Sequence, residues 1–115
     1  MNKRQAGAAG EARAAEYLEE RGYRILERNY RDRAGEIDIV AMDQGTLAFV
    51  EVKYRRSGAC GSPFAAVDGR KQRRIIGAAR RYMYEKGLGT ETDCRFDVVA
   101  VTGDEIELLQ NAFML

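Results

Sequence analysis

The sequence predicts an α/β fold: one domain with the element order αβββαββ and a mixed sheet flanked by helices. Three observations carry this. Two segments repeat apolar residues at helical spacing, and β-rich runs lie between and after them. A chain of 115 residues that is 45% hydrophobic supplies one core and is too short for two.

Taken in order, Asn2 with Gln5 can form a capping box, and Ala8, Glu11, Ala12, Ala15 and Leu18 recur at helical spacing until Gly22 supplies a stop. This gives a first helix over residues 3–21. Tyr23 to Arg31 alternates weakly as a strand, and Asp32 to Gly35 forms a loop. The runs Glu36 to Met42 and Thr46 to Tyr54, separated by Asp43-Gln44-Gly45, read as a hairpin. After a loop from Arg55 to Gly61, Ser62-Pro63 opens a short turn. Asp68 then caps a second helix with Ile75, Ile76, Ala79, Tyr82 and Met83 on one stripe, finishing at Gly87. Arg95 to Val101 is a β-branched strand and Glu105 to Leu109 a last short one. Ala112 to Leu115 is an apolar tail expected to pack on the sheet or a partner. A meander followed by a helical crossover gives a mixed sheet.

Composition removes several kinds of chemistry. Without histidine there is no Ser-His or Cys-His triad, and two cysteines alone cannot complete a tetrahedral Cys/His zinc site in one chain. Catalysis would have to rest on carboxylates, lysine, arginine, hydroxyls or a metal held by oxygen. The alanine-rich N-terminus is broken by Gly7, Gly10, Glu11 and Arg13, unlike a signal peptide, and no apolar run approaches membrane-spanning length. A cytoplasmic protein with reduced Cys60 and Cys94, and no membrane partner, is expected.

The hairpin can be put in register by counting. With a two-residue Gln44-Gly45 loop, Asp43 faces Thr46, Asp38 faces Glu51 and Glu36 faces Lys53; a three-residue loop would shift every pair. Opposed carboxylates repel and favour a cation between them, for which magnesium, a hard ion with oxygen ligands, is suited. From the hairpin alone, a solvated face with surface ion pairs worth about 0–1 kcal/mol explains the same residues equally well.

The acidic residue near a strand end followed by Glu51-Val52-Lys53 in the next strand resembles the PD-(D/E)xK nuclease signature, with Ile37 in place of the proline. Gly10-Glu11 with Ala15 and Leu18, Gly35-Glu36-Ile37-Asp38, Phe49 to Lys53, Lys71 with Arg74-Ile75, and Arg95 to Val99 together resemble the YraN family of small bacterial proteins. These are similar to Holliday-junction resolvases and restriction endonucleases. The resemblance implies a restriction-endonuclease-like domain and an endonuclease that hydrolyses phosphodiester bonds in DNA, with branched DNA among its candidate substrates. It further implies magnesium, or manganese, held by Asp38, Glu51 and the Val52 carbonyl, with Lys53 acting on the attacking water and the phosphate. Glu11, in phase with the inward stripe of the first helix, can reach the metal from the side or pair with a nearby arginine. Gln72, in phase with Ile75, Ile76 and Ala79, is expected to face the site, with Lys71 its adjacent competitor.

From Val52 to Lys86, ten basic residues stand against Asp68 and Glu85, a formal net of +8 in a chain whose total is only +1. Arg55, Arg56, Arg70, Lys71, Arg73 and Arg74 are therefore the expected phosphate contacts. A solvated helix face is the alternative for such a run. A non-catalytic nucleic-acid-binding module is the rival to the nuclease, and a homodimer follows if the substrate is a four-way junction with two cuts.

Overall fold

The computed structural model describes residues 3–56, 61–62, 67–89 and 91–113, with side chains from Gly10 onward. The elements run α1 (Lys3–Glu20), β1 (Arg24–Arg31), β2 (Glu36–Asp43), β3 (Thr46–Arg55), α2 (Gly69–Glu85), β4 (Cys94–Thr102) and β5 (Glu105–Phe113). This is the expected αβββαββ order. Asn2 of the anticipated capping box, the turn proline Pro63, Cys60 and the last two residues of the tail lie outside the described residues.

The five strands lie in one sheet in chain order, β1-β2-β3-β4-β5. Only β3 and β4 are parallel, joined by the α2 crossover; the other neighbours are antiparallel. The β2–β3 turn is the two-residue kind, with Gln44 at φ 49° and Gly45 at φ 84°. Positive φ at both positions matches the right-handed twist of the strands. Asp43 pairs with Thr46 and the ladder runs back to Ile39 opposite Val50, the register obtained by counting.

Each face of the sheet is covered by one helix. Ala14, Ala15 and Leu18 of α1 pack on Ile39, Ala41, Ala48, Val50, Val52, Val99 and Val101. Ile75, Ala78, Ala79 and Tyr82 of α2 pack on Val40, Leu47, Phe49, Phe96 and Phe113. Alternate residues of β3 thus serve opposite cores, as a period of two requires. The core phenylalanines are stacked, Phe49 to Phe96 at 5.6 Å and Phe96 to Phe113 at 4.8 Å between centroids. Phe113 also shows that β5 runs four residues past the expected end at Leu109, because a bulge lets the strand resume after Gln110.

Asp68 caps α2 as expected, its Oδ1 accepting from the Lys71 amide at 2.9 Å. Both edge strands are irregular. In β1 the register shifts between Ile25 and Glu27 and Asn29 has φ 58°. In β5 it shifts opposite Phe96 and Val98, and Asn111, at φ 55°, donates its amide to Asp97 Oδ1 at 2.9 Å.

Asp97, fully buried, is the centre of a polar cluster that the sequence did not announce. It accepts from Arg95 Nε at 2.8 Å and from the Tyr23 hydroxyl at 2.8 Å. Arg95 Nη2 also donates to Asp43 at 2.8 Å and to the Tyr23 hydroxyl at 2.9 Å. The cluster ties α1's exit, the hairpin turn and the β5 bulge together, so a buried charge is satisfied on every side. No helix among the described residues is long and apolar enough to cross a membrane.

Candidate active site

Asp38 sits one residue beyond the last rung of the β2–β3 ladder, Ile39 with Val50. Instead of a further backbone bond there, its Oδ2 accepts from the Val52 amide at 2.7 Å. The carboxylate is thereby inserted where the two strands part, and the Glu51-Val52 peptide is fixed beside it. Glu51, only 7% exposed, faces Asp38 closely enough to hydrogen-bond it.

The pair is electrostatically strained. Burial, then the charge of Glu51 and the hydrogen bond with it, push the Asp38 carboxyl up to about 8, against the opposing Val52 amide; Glu11 adds a weaker repulsion. Asp38 cannot be charged at ease beside Glu51, which is the situation a cation relieves.

Part of that relief comes from α2. Lys71 Nζ lies 2.6 Å from Glu51 Oε1. Burial alone would lower the Lys71 ammonium, but the hydrogen bond and charge of Glu51, with Asp38 and Asp68, raise it. Lys53, two residues along β3, is lowered by burial and then by the neighbouring Lys71 and Arg55. A strand lysine held below its usual range lies beside a helix lysine held above it.

An open cavity of about 820 Å³ lies over the carboxylates, with Arg31, Glu36, Arg70, Lys71 and Arg74 in its walls. Arg70, Lys71, Arg73, Arg74 and Arg56 are solvent-exposed, as phosphate contacts must be, while Arg55 donates to the Gly61 carbonyl at 3.1 Å.

Two expectations change. Gln72 is not the α2 residue that meets the carboxylates: its Nε2 donates to the Val67 carbonyl at 2.9 Å, and Lys71 takes the place beside Glu51. The two differ by only 100° of helix rotation, and the longer lysine reaches across it. Nor does Glu36 pair with Lys53. The strands have parted by then, and Glu36 turns to Arg31 of β1 at 3.5 Å.

Glu11 does lie inward, with its side chain 14% exposed, and it meets Arg28 Nη2 at 4.0 Å. The inward phase on α1 and the pairing with an arginine are both seen. Among the described residues, no group of three or more Asp, Glu, Cys or His side chains is disposed to hold a metal. Asp38 and Glu51 face each other with carboxylate oxygens an ion could use, and Glu11 lies near them. Magnesium needs no more from a protein than one or two carboxylates, retaining water and substrate oxygens for the rest. Tyr54 was not anticipated here. Its ring occupies the space a Cβ on Gly10 would fill, and its hydroxyl is raised by burial and by the charges of Glu11 and Asp38.

Fold and site together define a small α/β protein with a mixed five-stranded sheet and a carboxylate–lysine cluster under an open cavity. The chain belongs to the UPF0102 family, whose model, described as an uncharacterised protein family, matches residues 10–101. It is 52% identical over 113 residues to a UPF0102 protein of Lachnoclostridium phytofermentans, covering 98% of this chain and 96% of that one. Over 95 residues it is 57% identical to one of Chlorobium chlorochromatii, covering 83% and 72%. The UPF0102 protein YraN of Salmonella newport is 45% identical over 114 residues, covering 98% and 87%.

Proposed function

We propose that this protein is a magnesium-dependent endonuclease hydrolysing phosphodiester bonds in DNA, with Asp38, Glu51 and Lys53 at its centre. The observation that carries this reading is the facing carboxyl pair, with Asp38 pushed up to about 8 by burial and by Glu51 in an otherwise apolar sheet. Buried carboxyls perturbed in this way cluster at sites where a ligand uses them. The αβββαββ order and the Glu-Val-Lys strand support the same class.

Asp38 and Glu51 would hold the ion, and the Val52 peptide is oriented by its amide bond to Asp38. When bound, the ion supplies Lewis-acid charge next to the scissile phosphate. Lys53, lowered from its usual range, is suited to orienting a water and exchanging a proton with it, and its charge opposes that developing on phosphate oxygens. Arg70 and Arg74 at the cavity wall, and the exposed Arg56 and Arg73, would position the backbone without reading bases. Glu11 stands behind this pair as an additional carboxylate that an ion could recruit from Arg28.

One observation favours the rival, a non-catalytic nucleic-acid-binding module: Lys71 already neutralises Glu51. Cleavage of single-stranded, duplex, flapped and four-way-junction DNA with magnesium or manganese separates the two. The nuclease requires metal-dependent cutting by the wild type that Asp38→Ala and Lys53→Ala both lose. Salt-sensitive binding without cutting under either metal would establish the binding module instead.

A further inference from the structure

A second open cavity, of about 880 Å³, lies further along α2, lined by Arg33, Gly77, Arg80, Arg81 and Tyr84, with Asp32 and Glu85. Asp32 lines the first cavity too, so the two adjoin across the β1–β2 loop. That loop touches the helix closely. A Cβ on Gly35 would come within 2.8 Å of the Arg74 carbonyl oxygen, and one on Gly77 within 2.8 Å of Ala34 Cβ.

Among the α2 residues lining the two cavities, Arg70, Arg74, Gly77, Arg81 and Tyr84 form one stripe that follows at alternating steps of four and three, with Lys71, Ile75, Arg80 and Glu85 beside it. That spacing keeps them on one side of the helix. The apolar stripe through Ile75, Ala78, Ala79 and Tyr82 lies next to it and is already buried, with Ile75 at the edge of the first cavity. A solvated helix face has no need to keep a basic stripe continuous past a glycine, nor to end it on an aromatic ring.

Tyr84 is 76% exposed, the most exposed large hydrophobic side chain among the described residues. The Arg81 guanidinium carbon lies 5.6 Å from its ring centroid, and Arg81 is itself held by Glu85 Oε1 at 3.1 Å. Glu85 also accepts from the Tyr30 hydroxyl at 3.0 Å, so the acid at this end is engaged with the protein. The ring is braced on one side and open to solvent.

We propose that this groove is a nucleobase-binding subsite, in which Tyr84 stacks on an unpaired base of the strand whose phosphate occupies the Asp38–Glu51 cavity. The occupant is a single-stranded nucleic-acid segment, with Arg33, Arg80 and Arg81 along its backbone. From Lys71 to Tyr84 the helix advances roughly 20 Å at about 1.5 Å per residue. The subsite therefore lies several nucleotides along the strand from the reacting phosphate. Stacking tolerates any base, so the subsite selects for unpaired character rather than sequence. This rests on the nuclease reading for the strand's position, but the binding it predicts does not require cleavage.

The test is fluorescence anisotropy in EDTA with a labelled twelve-nucleotide oligothymidylate and a twelve-base-pair duplex, on wild type, Tyr84→Ala, Tyr84→Phe and Arg33→Ala. Tyr84→Ala should weaken the single strand roughly 5- to 100-fold. Tyr84→Phe should stay within about twofold, Arg33→Ala should weaken both probes, and duplex affinity should be nearly insensitive to Tyr84. Single-strand affinity unchanged in Tyr84→Ala, or an equal loss for both probes, overturns the subsite. If that happens while Asp38-dependent cleavage persists, the nuclease stands without it. Tyr84-dependent binding, with no cleavage when magnesium or manganese is supplied, leaves the subsite standing and removes the nuclease, and a wild type that binds neither probe removes the subsite.

Discussion

Lys71 Nζ stands 2.6 Å from Glu51 Oε1, so the cation nearest the buried carboxylate belongs to the protein itself. The ammonium comes from α2 and the carboxylate from β3, and each is held in place by its own element. A divalent ion held by Glu51 would compete with Lys71 for that oxygen.

Lys71→Met should therefore separate structure from ion binding. Without metal it leaves Glu51 unpaired next to Asp38. We expect a loss of about 1–2 kcal/mol in urea unfolding, less than for a fully buried pair because the lysine side chain is 45% exposed. Magnesium should restore most of it and bind more tightly than to wild type. Unfolding curves that coincide in EDTA would mean the pair contributes nothing.

Asp38 links stability to pH. Its carboxyl is raised from 3.8 to about 8 in the folded chain, so between those values the folded state holds a proton the unfolded state has released. That contribution is complete below the unfolded value and is lost as pH rises through the folded one. Metal-free wild type should thus lose stability relative to Asp38→Asn between about pH 5 and about pH 8.5, by at least about 1 kcal/mol or roughly 4 °C in Tm. Parallel Tm profiles for the two proteins would rule out a strained carboxyl pair.

Gly35→Ala tests the contact between the β1–β2 loop and α2. The added methyl meets the Arg74 backbone carbonyl at 2.8 Å, and backbone cannot swing aside as a side-chain end can. Overpacking of this kind costs about 1–3 kcal/mol, measurable by denaturant titration. No change would mean the loop shifts freely.

Asp97→Asn probes the polar cluster. The new amide would turn a donor towards the donors from Arg95, Tyr23 and Asn111 that the carboxylate now accepts. A loss of about 3–5 kcal/mol is expected. A variant as stable as wild type would show that the Arg95 charge finds full compensation in Asp43.

Much of this was legible in the chain. The Gln44-Gly45 turn fixes the hairpin register by counting, and that register sets Asp38 against Glu51. Asp68 announces α2, and the αβββαββ order follows from local periodicity. The rest depended on how elements meet. Lys71 and Gln72 stand next to each other on a helix whose rotation is set by packing on β2, so phase alone could not choose between them. Glu36 was assigned to Lys53 by extending a ladder that stops at Ile39, where Asp38 takes over the Val52 amide. The Asp97 cluster draws on Tyr23, Asp43, Arg95 and Gln110, residues far apart in sequence, and no local pattern joins them.

The kinked edges of the sheet bear on how two copies of this protein could assemble. Strand addition requires a flat row of amides and carbonyls, and bulges with left-handed asparagines interrupt that row in β1 and again in β5. A dimer built by continuing the sheet from one molecule into the next is therefore disfavoured on both sides. If a four-way junction is the substrate, the two cutting centres it demands would have to be brought together through helices or loops, and their separation would follow from those surfaces rather than from the spacing of strands.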